Sequence, residues 1–355
     1  MCIERQLQLG KPMKVLTITA VYPSPERPDY GAFIRSQVES LTRAGVDMDV
    51  QIIRGKRRKL MYLEALVHFA RCRAQRYDVI HAHYSFSGFI ARMQLKTPVV
   101  VSFMGSDLLG NIDASGQRAP YNFLLTASAR LLSRVAEAVI VKSDEMAAQL
   151  PVKAHVIPNG IDFDLFRPVD QQHARTLLGL DPDKTYVLFA ARPDNLRKGF
   201  AVAKAAFDTV AKTNPRLELL VAQAESQERL ALFFNACDVL LFPSMQEGSP
   251  NTVKQAMACN LPIIASAAGD IPQLFDSATR SVICERTAEA FAQVLRDMLT
   301  TRERSNARQT IAHLDEATVA QQIIDVYKTV TRHSPNAARL QDLTSFESGV
   351  SSKRF

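Results

Sequence analysis

The residues best suited to chemistry in this chain are a carboxylate and the helix start that follows it, Glu247-Gly248-Ser249-Pro250-Asn251. A helix beginning near Asn251 leaves its first amides without carbonyl partners. The run Ser249, Pro250, Asn251, Thr252, Val253 is therefore a ready anion site. A carboxylate aimed at that anion would repel it, so Glu247 suits neutral hydroxyls carried by the same ligand. An anion flanked by hydroxyls describes a nucleotide-diphosphate sugar. The competing reading is an ordinary turn in which Glu247 is solvated or caps the helix.

The surrounding elements place this loop. Val239-Leu240-Leu241-Phe242 is short and fully apolar, as a buried parallel strand is. Pro250 suits a first helical turn, and Asn260 with Pro262 ends the helix Asn251 to Cys259. A strand from Pro262 to Ser266 follows, then a loop marked by Gly269 and Pro272. The unit is strand, loop, helix, strand, with the polar loop at the carboxyl end of the strand. Doubly wound sheets bind ligands there.

The stretch resembles the donor site of retaining glycosyltransferases of the GT-B fold. That family carries Glu-Gly, a second Glu after seven intervening residues, then Ala-Met-Ala-Cys, a Pro-Ile/Val-Ile/Val-Ala-Ser strand and Gly-x-x-Pro. Here these are Glu247-Gly248, Ala256-Met257-Ala258-Cys259, Pro262-Ile263-Ile264-Ala265-Ser266 and Gly269-Asp270-Ile271-Pro272. The second Glu is replaced by Gln255. The resemblance implies that Glu247 holds the transferred sugar and that Gln255 faces the ribose hydroxyls. An amide can donate and accept there, without a carboxylate's charge-assisted bond.

Composition bounds the rest. A chain of 355 residues that is 47% hydrophobic with 14 Gly predicts two domains with full cores. Five cysteines without close pairing suggest neither a disulfide framework nor a zinc site. Cys237, Cys259 and Cys284 lie in apolar stretches and read as core residues in a reducing compartment. No apolar run approaches a membrane span, and the first residues lack a signal-peptide core. The expectation is a cytoplasmic protein. Net charge is +7, and residues 1–168 carry all of the excess, with 22 Lys+Arg against 15 Asp+Glu.

Within that half, residues 54–76 hold eight basic residues and one acid, Glu64, with Leu60, Leu63, Leu66, Val67 and Ala70 at helical spacing. This reads either as a face for an anionic membrane surface or lipid-diphosphate acceptor, or as a solvated basic helix. Nucleic acid is a poorer partner, because stacking aromatics are not interleaved and no DNA-binding motif surrounds the segment.

Other candidates are read in chain order. A strand from Lys14 to Ala20 leads to a loop with three prolines and Gly31, where a backbone can approach a ligand. In the family a glycine loop at this place faces the diphosphate and acceptor. A strand from Asp78 ends in His81-Ala82-His83. The two imidazoles point the same way, but no carboxylate or Cys completes a metal site. His83 is expected to face the cleft on the acceptor side.

Met104-Gly105-Ser106-Asp107 stands where the family often has His-Gly-Ser-Asp, so Asp107 is a second acceptor-side candidate and the His contact is missing. Ile157-Pro158-Asn159-Gly160-Ile161-Asp162 resembles the signature closing the family's first domain. After the strand Tyr186 to Ala191, Arg192 and Lys198-Gly199 match the family's diphosphate cations. The spacing is about one residue longer than usual, which leaves Arg197 as the alternative to Lys198.

The expected fold class is α/β: two doubly wound Rossmann-like domains facing a central cleft. The acceptor-side domain spans 13–168 and the donor domain 169–315. A helix over 316–331 crosses back to the first domain, and 332–355 is an unstructured tail. The expected function is transfer of a sugar from a nucleotide-diphosphate donor to a hydroxyl of a glycan, lipid-linked or small-molecule acceptor, with retention and without a metal or other cofactor. Two alternatives remain: a catalytically weakened binding or partner subunit, given Gln255 and Met104, and a nucleotide-sugar epimerase on the same architecture.

Overall fold

A computed structural model describes residues 12–53, 77–110, 112, 117 and 122–332. The basic segment 54–76 and the tail 333–355 lie outside the described residues. Among the described residues eleven parallel strands form two sheets. Strands β1 (Lys14–Thr19), β2 (Asp47–Ile52), β3 (Val79–His83), β4 (Val99–Ser102), β5 (Ala138–Val141) and β6 (His155–Val156) make the first, in the order β2-β1-β3-β4-β5-β6. Strands β7 (Thr185–Phe189), β8 (Leu217–Val221), β9 (Val239–Phe242), β10 (Ile263–Ala265) and β11 (Ser281–Ile283) make the second, in the order β11-β10-β9-β7-β8. The expected α/β class and the two facing sheets are what the structure shows.

Both sheets reverse direction of winding beside their first strand, between β1 and β3 and between β7 and β9. Ligand crevices open at the carboxyl ends of strands at such switch points. β3 is buried along its whole length, as are β4 and β9, because helices cover both faces of each sheet.

The helix Glu316–Arg332 returns to the first sheet. Its face of Val319, Ala320, Ile323, Ile324, Val326, Tyr327 and Val330 is buried against Val15, Val79, Val100 and Ile140. Its entry is fixed by backbone bonds in which Ile161 donates to Leu314 at 2.9 Å and Glu316 donates to Ile161 at 3.1 Å. A side chain at Gly160 would meet the Glu316 Cα at 2.7 Å, which explains the Asn159-Gly160 pair better than a generic turn does.

Three helices of eight residues or more go beyond the sequence reading: Ser85–Arg92, Asn122–Val135 and Gln171–Leu178. The last occupies what reads as a polar linker. Asp170 caps it, and its Arg175 is 1% exposed, bonded to Asp238 and to the carbonyls of Ala236 and Pro182. A buried, fully bonded arginine is indistinguishable from a surface one in a sequence pattern. Between Arg304 and Leu314 the chain forms only a short Ala307–Thr310 helical turn and a 3-10 turn, Ala312–Leu314. Arg304 holds the preceding chain by donating to the carbonyls of Cys237, Phe234 and Cys259. Cys237 and Cys259 are core residues as expected, whereas Cys284, just past edge strand β11, is only half-buried.

Candidate functional site

A cavity of about 380 Å³ opens between the two switch points. Arg192, Lys198, Glu247, Ser249, Pro250, Asn251, Thr252 and Gln255 all line it. The sequence pattern thus singles out residues that follow two neighbouring strands of the second sheet, β7 and β9, and meet in one place. Val253 is the exception within its run: its side chain is fully buried in the core, leaving only its backbone amide toward the helix start.

Glu247 follows β9 and is 8% exposed. Its Oε1 accepts 2.6 Å bonds from Lys198 Nζ and Ser244 Oγ. Burial acts to raise its carboxyl pKa. The charges of Lys198 and Arg197, with the bonds from Lys198 and Ser244, outweigh burial and hold it below the usual carboxylate range. Lys198 reaches Glu247 from a 3-10 turn, Leu196–Lys198. The turn closes on Gly199 at φ 74°, where a Cβ would come within 2.2 Å of the Pro243 carbonyl oxygen. Only glycine lets this turn lie against the end of β9.

Also lining the cavity, Gln255 Nε2 donates to Gln227 Oε1 at 2.8 Å. This leaves the Gln255 oxygen and the Gln227 amide nitrogen for a ligand, one to accept and one to donate. Gln227 goes beyond the sequence reading; its one signal is a position at the start of the Gln227–Ala236 helix, just past the end of β8.

The helix Asn251–Ala258 is bolted to the first domain by two contacts. Asn159 Nδ2 donates to Asn251 Oδ1 at 3.3 Å, and Lys254 Nζ donates to the Asn159 carbonyl at 3.0 Å. Burial lowers the Lys254 pKa to about 8, with Asp270 pulling the other way. Nearby Lys142, bonded to the Ile157 carbonyl, is lowered to about 7 by burial and then by the Lys254 charge, against Asp107.

Three expectations are corrected. Gly31 does not line the cavity, although Asp29, Ala32 and Phe33 do. Its φ of 82° and a Cβ position 2.7 Å from the Val21 carbonyl group show that the chain's own backbone demands glycine there. His83 does not face the cleft. It is fully buried, its ring stacked 4.4 Å from that of His81, with Nε2 3.5 Å from Gln37. Asp107 turns inward and accepts the amides of Met104, Gly105 and Ser85, so it shapes the loop after β4. Burial lifts its carboxyl to about 6 against the pull of those amides.

Met104 and Tyr84 also face the cleft on that side, the latter in the left-handed region at φ 71°. Among the described residues no group of three His, Cys, Asp or Glu could hold a metal ion, and no helix is long and apolar enough to cross a membrane.

Comparison with known proteins agrees with this geometry. Residues 5–160 match the glycosyl transferase 4-like domain, and residues 215–301 match the glycosyl transferases group 1 domain. D-inositol 3-phosphate glycosyltransferase of Mycobacterium marinum is 28% identical over 272 residues, covering 65% of this chain and 56% of the relative. The Mycobacterium leprae enzyme of the same name is 27% identical over 282 residues, covering 67% and 65%. The match to the first of these thus spans little more than half of the relative's length.

Among solved structures, sucrose-phosphate synthase from Thermosynechococcus elongatus shares the fold with a TM-score of 0.73 at 20% identity, covering 90% of this chain and 99% of that one. Anabaena HepE, solved with UDP and glucose, gives a TM-score of 0.66 at 18% identity, covering 89% and 99%. The paired domain matches, the two switch-point sheets and the Glu247 loop together place this chain in the GT-B-fold glycosyltransferase family with a 4-like N-terminal domain and a group 1 C-terminal domain.

Proposed function

We propose that the chain transfers a hexose-type sugar from a nucleotide-diphosphate donor to an acceptor hydroxyl, with retention of configuration. The observation that carries this reading is that one cavity gathers the Gln227–Gln255 amide pair, the cations Arg192 and Lys198, the Asn251 helix start and buried Glu247. Those three kinds of group match ribose, diphosphate and sugar. The relatives named as glycosyltransferases and the Anabaena protein solved with UDP and glucose support the same reading.

In the reaction the bond from the sugar's anomeric carbon to the diphosphate oxygen breaks, and a bond to the acceptor oxygen forms. Arg192, Lys198 and the helix amides stabilise the charge that grows on the leaving diphosphate, the largest expected contribution. Glu247 holds sugar hydroxyls in place. Tied to Lys198 and held below the usual carboxylate range, it is a weak base. The acceptor proton therefore passes to the leaving oxygen, which gains charge on the face that the acceptor approaches. Attack on that face retains the anomeric configuration.

A thermal-shift screen against UDP-, GDP- and ADP-sugars tests the reading, since ligands of the native state raise Tm by mass action. The expected result is a rise with one nucleobase class and release of its diphosphate on adding acceptor. A folded protein that responds to none contradicts it. Inversion of the donor sugar without acceptor would assign an epimerase instead.

A further inference from the structure

We propose that a second, smaller cavity beside Glu247 is an acceptor subsite that takes an anionic group, phosphate or carboxylate, on the guanidinium of Arg197. The proposal rests on the transferase reading and names the acceptor's chemistry. This cavity, of about 120 Å³, shares Tyr84, Met104, Glu247 and Gly248 with the larger one. The two spaces therefore meet at the carboxylate that holds the transferred sugar.

The division between them is made by one short turn. In a 3-10 helix successive side chains are about 120° apart, from three residues per turn. Lys198 lines the larger cavity and Arg197 only the smaller. The turn is pinned from β9's side: Met245 N and Ser244 Oγ both donate to the Arg197 carbonyl, at 2.9 and 3.3 Å. These bonds fix the backbone from which the Arg197 and Lys198 side chains diverge.

Glu247, the one carboxylate lining the smaller cavity among the described residues, is hydrogen-bonded to Lys198; the Arg197 charge also reaches it, but Arg197 makes no ion pair of its own among the described residues. The guanidinium of this half-buried residue offers a planar fork that matches a phosphate or carboxylate. Gln246 Oε1 is buried without a hydrogen-bond donor while its amide nitrogen donates to the Leu109 carbonyl at 3.4 Å. A ligand hydroxyl would satisfy that oxygen. An anionic group with a hydroxyl near it, presented next to Glu247, is an acidic or phosphorylated sugar or a phosphate-bearing lipid headgroup. A neutral sugar uses only half of these groups.

The test uses the full chain with the nucleoside diphosphate that raises Tm most, so that the larger cavity is filled. Inorganic phosphate is titrated into that complex by calorimetry. Arg197→Ala should weaken phosphate at least tenfold, as expected for loss of a charge-assisted bond, and leave nucleotide affinity unchanged. Diphosphate release is then followed with glucose, glucuronate, glucose 6-phosphate, or a polyprenyl phosphate in phosphatidylcholine vesicles. Stimulation by a free anionic sugar identifies a free acceptor, and stimulation only by the vesicles identifies a lipid. Either supports the subsite if Arg197→Ala removes it.

The subsite is overturned if the nucleotide-filled protein binds no phosphate, if Arg197→Ala binds it as wild type does, or if glucose alone stimulates both equally. If no nucleotide binds, the transferase reading is what fails. Phosphate is then titrated into free Arg197→Ala and Lys198→Ala: loss with Arg197 alone keeps the subsite, and loss with Lys198 alone ends it.

Discussion

Lys198 donates a 2.6 Å hydrogen bond to Glu247 across the seam between the β7 loop and the β9 loop. The two residues assigned to neighbouring parts of one donor are thus partners when the site is unliganded. Each keeps the other's charge stable in a buried place, and a bound diphosphate would give Lys198 a second anion without removing the first.

Lys198→Ala removes that partner. Donor binding should weaken by about 1.5–3 kcal/mol, and folding stability should fall by about 1–3 kcal/mol because buried Glu247 keeps only Ser244 as a hydrogen-bond donor. Adding Glu247→Gln should recover stability and not binding. Urea unfolding and calorimetry of the single and double variants check this. Equal donor defects in Arg197→Ala and Lys198→Ala would overturn the division of the two cations.

Gln255→Ala should lose about 1–3 kcal/mol of donor affinity, and Gln227→Ala a similar amount, with less than additive loss in the double variant because the two amides are bonded to each other. Gln255→Glu should bind as well as wild type or better, since a carboxylate accepts hydroxyl protons more strongly. Calorimetric titration of the donor decides. If Gln255→Glu alone binds, the natural chain is a weakened transferase.

The buried lysines set a pH dependence. Lys142 is lowered to about 7 and Lys254 to about 8, from an ordinary lysine value of 10.5. Between those values and 10.5 the unfolded chain binds more protons than the folded one, so stability rises with pH across that window. The penalty is fully present below about pH 7 and relieved above 10.5. Lys142→Met should flatten the rise between pH 7 and pH 10 in urea unfolding. An unchanged slope would show that Lys142 does not titrate there.

Tyr327→Phe tests the bolt between the final helix and the first sheet. His81 Nδ1 is 2.6 Å from the Tyr327 hydroxyl and its Nε2 is 2.7 Å from Ser102 Oγ, in a fully buried setting. Burial, reinforced by Lys142, lowers the His81 pKa to about 3, so the ring is neutral. Removing the hydroxyl orphans one ring nitrogen at a cost of about 1–3 kcal/mol. Loss of stability with donor affinity unchanged is the expected result.

What the sequence disclosed and what it concealed follow one physical line. The Glu247 loop was legible because its parts are contiguous: strand, carboxylate, helix start and stop all fall within Val239 to Pro262. Lys198 was legible through Gly199, whose place against Pro243 allows no other residue. Gln227, Tyr84 and the Asn159–Lys254 bolt were not, because their roles exist only where separate strand ends converge. His83 and Asp107 show the reverse error. Polar residues at a strand's carboxyl end look like site residues, yet here the first is packed on His81 and the second caps its own loop.

The central claim is that the cavity lined by Glu247 and Lys198 holds a nucleotide-diphosphate sugar. Its most direct test is calorimetric titration of UDP-, GDP- and ADP-glucose into the folded wild type and into Lys198→Ala. The account predicts that one nucleobase class binds with a single site per chain and that Lys198→Ala weakens it by about ten- to a hundredfold. A folded wild type that binds none of the three, or a Lys198→Ala variant that binds as tightly as wild type, would contradict it.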